Sequence, residues 1–396
     1  MRLPLLLILP VLILDALVDW YICRAVWRRC ERHATLWRRV ALWSSIALAV
    51  FLAAIIAWPK KAGSDSDLTC IMWGLYAYFS VYAAKYFFII FDLIAKIPQL
   101  FGRRRLRALS VSGGVAAVGV FALMWWGALV NVRQTQVKNV EIVNPSLPSA
   151  FDGYKIVQIS DIHTGTFGRD TSFLTKAVER INELDPDIVL FTGDIVNRRS
   201  DELIPFVPVL SRIKAPVLSV LGNHDYGAYY HWPDTEAEKA NMEQMYALQQ
   251  EMGWDLLNNR SHTVHQGQDS VVIIGVENIG DPPFDVHGDL DAAYDGDLAD
   301  PTYKILMSHN PAHWVEDIAD APDKNIALTL SGHTHAMQME LFGLSPAALR
   351  YPTWGGLYGE EGGNRLYVNI GLGEVGIPAR IGATPEITLI TLRSGN

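Results

Sequence analysis

Lys155–His163 reads KIVQISDIH, an apolar run that ends abruptly in a carboxylate and an imidazole. Four later segments share the form: Ile188–Asp194 (IVLFTGD), Val217–Asp225 (VLSVLGNHD), Lys304–His309 (KILMSH) and Ala327–His335 (ALTLSGHTH). Short apolar runs of about four to eight β-forming residues, closed by turn formers, read as strands buried on both faces. Between the first two, Thr171–Leu184 carries the helical period, and Thr235–Met252 reads as a polar helix. Further strands are expected at VKNVEIV (137–143), SVVIIGV (270–276), RLYVNI (365–370) and EITLITL (386–392), with a short helix near Pro311–Ile318. Strands alternating with helices make this half an α/β domain.

The polar residues follow the carboxyl ends of the strands, where open α/β sheets place ligands. Asp161, His163, Asp194, Asn223, His224, Asp225, His309, His333 and His335 all stand there. Strand ends in a purely structural domain favour turn formers and do not concentrate imidazoles. Oxygen and imidazole donors without thiolate suit Mn, Fe or Zn, and seven ligands with one shared carboxylate can hold two ions about 3.5–4 Å apart. Two such ions would bind a hydroxide at neutral pH and spread the charge of an in-line phosphoryl transfer, with no protein nucleophile required.

The first third of the chain reads differently. The whole has 396 residues, 50% of them hydrophobic and 19% charged, with a mean hydropathy of +0.14. That is more apolar and less charged than the quarter or so of charged residues usual in soluble domains, and points to a membrane portion. Apolar stretches at 3–21, 40–58, 68–94 and 108–130 are each long enough to cross about 30 Å of hydrocarbon. The expectation is a four-helix transmembrane bundle over 1–133 and an α/β domain over 134–396. Through Arg133 there are 16 Lys and Arg against 6 Asp and Glu; beyond it there are 17 against 36, so the parts carry +10 and −19. The acidic part argues against nucleic acid, whose phosphates need a cationic face. All three cysteines (Cys23, Cys30, Cys70) precede it, so it forms no disulfide of its own.

Arginines fill the stretches 24–39 and 96–107, whereas the loop between the second and third spans has only Lys60 and Lys61. By the positive-inside rule the arginine loops are cytoplasmic, which puts the N-terminus and everything after Val130 outside, periplasmic in a bacterium. The first stretch lacks a small-residue cleavage pattern and carries two aspartates, so it is read as a retained span and not as a signal peptide. Asp15 and Asp19 on that span and Lys85 on the third are read as a buried ion pair, structural or on a proton or substrate path.

The ordered set DIH, GD, GNHD, SH and GHTH resembles the calcineurin-like metallophosphoesterase superfamily over residues 137–393. The tail NIGLGEVGIPARIGATPEITLITL (369–392) resembles the ending of its membrane-associated bacterial branch, to which a vertebrate transmembrane phosphoesterase is related. The resemblance implies a two-sheet sandwich flanked by helices. It also implies that Asp161, His163 and His335 hold one metal, that Asn223, His309 and His333 hold the other, and that Asp194 bridges them. His224 would sit beside the scissile phosphate, stabilising charge or protonating the leaving oxygen. Two departures stand out. Relatives often carry an aspartate where this chain has Asn197, which removes a charge that would support a protonated His224, and Asp225 is the candidate substitute. Relatives also often carry two glycines where this chain has Ala336 and Met337, which would make the cleft floor bulkier. Of the cations near the motifs (Arg169, Arg198, Arg199, Arg350, Arg380), Arg380 is the best candidate to touch substrate phosphate. The apolar stretch 341–359, with Tyr226, Tyr229, Tyr230 and Trp232, is read either as core or as an approach for a lipid-linked substrate.

The sequence therefore points to a multi-pass inner-membrane metal-dependent hydrolase of a phosphoester, mono- or diester, acting at the outer face. The other reading kept is a membrane receptor or transporter component whose outer domain binds a phosphorylated ligand without turnover.

Overall fold

The structure is a computed structural model that describes residues 5–27, 34–57, 65–282 and 284–395. The chain divides into two compact units, Met1–Gly127 and Ala128–Asn396.

The first unit consists of α1 (Leu5–Trp27), α2 (Ala34–Ile56), α3 (Asp65–Ile94) and α4 (Arg107–Leu129). Among the described residues three helical stretches are long and apolar enough to cross a membrane: Thr35–Ile56, Asp67–Phe101 and Arg107–Arg133. The remaining expected span falls on α1, which carries Asp15 and Asp19 in mid-helix and is not one of the three; four spans remain an expectation of the sequence. Residues 28–33 and Lys60 and Lys61, used in the charge argument, lie outside the described residues. The expected ion pair forms: Lys85 Nζ donates to Asp19 Oδ1 at 2.6 Å. Asp15 instead accepts from two phenols, Tyr78 at 2.7 Å and Tyr86, while Tyr82 donates to Asp19 at 2.8 Å. Tyr78, Tyr82, Lys85 and Tyr86 recur at helical spacing, so one face of α3 satisfies both buried carboxylates.

The second unit holds β1 (Gln136–Asn144), β2 (Lys155–Ile159), β3 (Ile188–Phe191), β4 (Val217–Ser219), β5 (Asp255–Leu256), β6 (Arg260–Gln266), β7 (Asp269–Gly275), β8 (Lys304–Met307), β9 (Ile326–Ser331), β10 (Gly356–Tyr358), β11 (Arg365–Val368) and β12 (Glu386–Ser394). They form two six-stranded mixed sheets, ordered β1-β12-β2-β3-β4-β5 and β10-β11-β9-β8-β7-β6. β2, β3, β4 and β5 run parallel, as do β11, β9, β8 and β7. β12 lies between β1, parallel, and β2, antiparallel, with Gln136 opposite Glu386 and Gln158 opposite Thr388.

Strand alternation builds the core. Ile156, Ile188, Leu190 and Leu218 of one sheet pack against Ile273, Ile305, Met307, Leu328 and Leu330 of the other. The opposite faces of β2 and β3, Val157, Ile159, Val189 and Phe191, lie under α5 (Ser172–Glu183), α6 (Val207–Leu210) and α7 (Thr235–Glu251). α5 buries Phe173, Leu174, Ala177, Val178 and Ile181, one stripe of its surface. Asp234 caps α7, accepting from the Ala237 amide at 2.8 Å. The helix expected near 311–318 is a single wide turn at Trp314–Ile318. β2, β3, β4, β8 and β9 end side by side, and their following loops carry the site.

Candidate metal centre

Two groups of potential ligands converge there: Asp161, His163 and His335, and Asp194, His309 and His333. In the first, His335 Nε2 lies 3.1 Å from Asp161 Oδ1 and 3.0 Å from His163 Nε2. In the second, His309 Nε2 is 3.2 Å from Asp194 Oδ2, and His333 Nδ1 is 2.8 Å from Asn223 Oδ1. Asp194 Oδ2 is also 3.7 Å from His163 Nε2, so this one oxygen faces both groups. The loops that deliver these side chains are strained. Asp161, His163, Asp194, His333 and His335 all have φ between 48° and 72°, a region that costs an ordinary residue about 1 kcal/mol or more and that clusters at functional sites. Gly193 is held at φ +94°, where a Cβ would come 2.8 Å from His309 Nδ1.

Hydrogen bonds at the outer ring nitrogens fix which nitrogen points inward. His163 Nδ1 donates to the Val196 carbonyl at 3.1 Å and His309 Nδ1 to the Thr192 carbonyl at 2.7 Å, leaving each Nε2 with its lone pair toward the cleft. His333 turns the other way, with Nε2 3.0 Å from the Tyr351 hydroxyl and Nδ1 inward. The Asn223 amide donates to the Tyr229 hydroxyl at 2.9 Å, which leaves its oxygen for the site. His309 Nε2 is buried without a hydrogen-bond partner. Buried lone pairs packed this closely are stable only around protons or cations, and an all-oxygen-and-imidazole set suits divalent metals. His335 differs. Its Nδ1 is 3.2 Å from Arg380 Nη2, a donor, so a cation at Nε2 would replace the ring's own proton.

The electrostatics agree. Burial would raise the Asp161 and Asp194 carboxyls, but His335 and His309 beside Asp161, and His309 and His224 beside Asp194, hold both below the usual range. Burial would lower His309, yet Asp194 and Asp161 lift it to about 9. Burial and the charge of His309 push His333 down to about 3, and burial with His224 and His335 depresses His163. Of His163, His309 and His333, His309 is thus the imidazole that the neighbouring carboxylates make more basic.

Three expectations change. Asp225 is no support for His224: its buried carboxylate accepts the backbone amides of Asp194, Ile195, Val196 and Gly222 at 2.9–3.2 Å, bracing the two loops. Burial, then Asp194, raises it to about 7. Arg380 is wholly buried and binds the carbonyls of Ile370, Gly373 and Ala383, so it backs His335 and does not face substrate. Asn197 reaches His224 through its main chain, whose carbonyl accepts from Nδ1 at 2.6 Å, while its amide group holds Thr166 and the Glu374 carbonyl. The residue type at 197 therefore does not set the ring's partner. Ala336 is buried, and it and Met337 adopt φ of 52° and 46°, left-handed backbone that glycine would take without strain.

The motifs left several neighbours unassigned. Tyr229 stacks on His224 with ring centres 4.1 Å apart, and Phe284 stands edge-on to His333 at 4.7 Å. Tyr351 and Tyr229 lie within the two aromatic stretches already noted in the sequence, but nothing in the pattern distinguished them from their neighbours. Arg350 pairs with Asp281 beside Tyr351. The chosen stretch 341–359 splits: Ala347 is buried, whereas Phe342, Leu344 and Leu349 are 101%, 76% and 93% exposed.

The family described as Calcineurin-like phosphoesterase matches residues 154–337, and one described as Probable Calcineurin-like phosphoesterase, transmembrane domain, matches residues 1–132. A zebrafish (Danio rerio) transmembrane protein with metallophosphoesterase domain is 32% identical over 330 residues, 79% of this chain and 71% of that protein. A metallophosphoesterase of Bacillus subtilis is 30% identical over 311 residues, 76% of this chain and 97% of its own. One from Campylobacter jejuni aligns over 97% of both chains at 26% identity.

Proposed function

Because the chain belongs to the calcineurin-like phosphoesterases and carries their transmembrane domain, we propose that it is a membrane-anchored binuclear hydrolase of phosphoric esters. One divalent ion would be held by Asp161, His163 and His335, the other by Asn223, His309 and His333, with Asp194 shared. The observation that carries this reading is the position of Asp194 Oδ2, 3.2 Å from His309 and 3.7 Å from His163. When bound, the pair of ions supplies Lewis acidity to water and to the phosphoryl oxygens.

The chain's own residues then orient and neutralise. Carbonyls of Val196 and Thr192 fix two imidazoles, and the Tyr351 hydroxyl fixes a third. His224 has its backbone amide on Asp194 Oδ1 at 2.8 Å and its Nδ1 on the Asn197 carbonyl. Its Nε2 is left to stabilise charge on the phosphoryl group or to donate a proton to the leaving oxygen. The arginine distribution supports a catalytic domain on the outer face of the inner membrane, with the domain boundary near residue 133. Phe342, Leu344 and Leu349, exposed on the segment that leads to Tyr351, favour a phosphoester carried on a lipid.

The test is hydrolysis by the purified full chain of an aryl phosphomonoester against a bis-aryl phosphodiester, with Mn²⁺, with Zn²⁺ and after chelation. Chelator-sensitive turnover supports the reading, and the preferred ester sets the substrate class. A folded, metal-loaded protein that turns over neither these esters nor lipid extracts would sink it in favour of the ligand-binding alternative.

A further inference from the structure

The helical unit contains a second polar centre, separate from the carboxylates of α1. A cleft of roughly 1570 Å³ opens between the end of α1, the segment after α3 and the start of α4. Arg24, Lys96, Arg103, Arg104, Arg105 and Arg107 line it, and no carboxylate does among the described residues. Asp92, which pairs with two of these side chains, is fully buried. It accepts from Arg105 and from the Tyr21 hydroxyl at 2.7 Å, and it lies 3.3 Å from Lys96. Among the described residues Asp92 answers Arg105 and Lys96, and no ion pair is formed by Arg24, Arg103, Arg104 or Arg107. Arginines that only orient a membrane protein can spread into water. Here they border one space, where their mutual repulsion favours a bound anion.

The cleft continues into an apolar track. Val111, Gly114, Val115 and Val118 follow one another at i, i+3, i+4 and i+7 on α4, a single helix face. The three valines are 68%, 69% and 70% exposed, and no atom lies within 4 Å of where a Gly114 Cβ would stand. Val111 and Gly114 themselves line the cleft, so the cationic end and the smooth aliphatic end are continuous. Trp20 and Tyr21 form part of the opposite wall, side chains that settle at headgroup depth.

We propose that this cleft binds an anionic phospholipid, its headgroup phosphate among the arginines and one acyl chain along the Val111–Val118 face of α4. A soluble phosphate compound would share the headgroup chemistry but would leave the aliphatic track unused. Basic pockets between membrane helices are a known physical solution for holding such headgroups.

The experiment places the full-length chain in nanodiscs of phosphatidylcholine and phosphatidylglycerol and measures, by native mass spectrometry, the lipid retained on release. Phosphatidylglycerol is expected above its share of the bilayer. An R103Q/R104Q/R107Q variant is expected to lose that enrichment by about fivefold or more, since it removes three of the six cations that line the cleft. Gly114→Leu blocks the track with every charge kept and is expected to lower the enrichment too. R38Q/R39Q removes two positive charges from residues that do not line the cleft and is expected to keep it. Equal retention of the two lipids by the native chain, an equal loss in the control, or full displacement by millimolar inorganic phosphate would each overturn the proposal, the last in favour of a soluble anion. Melting of each variant in phosphatidylcholine alone verifies folding. Should the triple variant not fold, the single Arg104→Gln decides: a graded fall in enrichment supports the site and an unchanged value overturns it.

Discussion

Asp194 and His309 meet from opposite sheets. The carboxylate follows β3 and the imidazole follows β8, and Oδ2 lies 3.2 Å from Nε2. Because the same oxygen also lies 3.7 Å from His163 Nε2, it faces both groups of potential ligands. Asp194→Asn keeps the shape and removes the charge. Metal content, read by elemental analysis, is expected to fall from two ions per chain toward one or none, and kcat/KM for an aryl ester at least about a hundredfold. Full occupancy with native turnover would refute the shared-carboxylate assignment.

His224 should matter in proportion to the leaving group. His224→Ala is expected to cost about a hundredfold on alkyl esters, whose leaving oxygen needs a proton, and much less on p-nitrophenyl esters, which do not. The measurement is the slope of log kcat against leaving-group pKa, which steepens in the variant if the ring acts as an acid and stays parallel if it acts only by charge.

Arg380 is expected to act on the fold. Arg380→Met leaves the carbonyls of Ile370, Gly373 and Ala383 without their donor, each at about 1–3 kcal/mol, and frees His335 from its backing. Tm should drop by several degrees and metal affinity should weaken. A raised KM with unchanged Tm would restore the substrate role read from the sequence.

Glu374 gives a pH dependence of the stability. Burial outweighs the attraction of Arg380 and Arg133 and raises its carboxyl from 4.5 to about 7. The folded state therefore binds this proton more tightly than the unfolded chain does. The resulting stabilisation, relative to a chain forced to bury a carboxylate, is present below 4.5 and is lost as pH rises through about 7. Glu374→Gln should accordingly raise Tm at pH 8, by the equivalent of up to about 3 kcal/mol, and change it little at pH 4.5. Equal shifts at both pH values would rule out titration of this group as the cause.

In the helical unit, Lys85→Met leaves Asp19 with the Tyr82 hydroxyl but without its counter-charge. Melting of the membrane helices in detergent is expected a few degrees lower, because a buried charge loses its partner. Turnover of a soluble ester should not change. Native melting would remove the ion pair from the assembly of α1 and α3, and lost turnover would give it a part in catalysis.

β2, β3, β4, β8 and β9 were legible because each is an apolar run buried on both faces and closed by turn formers, a pattern that survives without knowledge of its neighbours. The two-residue β5 and the partly exposed β6 carry no such run and were not anticipated. The polar residues at the strand ends were legible as a set. Their separate roles were not, since Asp225 and Asn223 stand in one tetrapeptide and differ only in the direction each side chain takes as the loop turns. Arg380 sits in a glycine-rich tail where nothing in the pattern signals burial, and a long cation so placed beside the motifs reads as a contact for substrate phosphate. The phenols on α3 were hidden because tyrosines within an apolar span pass for interfacial anchors until the carboxylates of α1 are set against them.

The placement of β12 between β1 and β2 has a consequence for synthesis. β1, which follows α4 directly in the chain, has β12 as its sheet neighbour, and β12 is made some 240 residues later. Translation delivers the membrane helices first and the strand that closes the first sheet last. The second unit therefore stays incompletely paired until Glu386–Ser394 is made, and until then β2, the strand that leads to Asp161, lacks one of its two sheet neighbours.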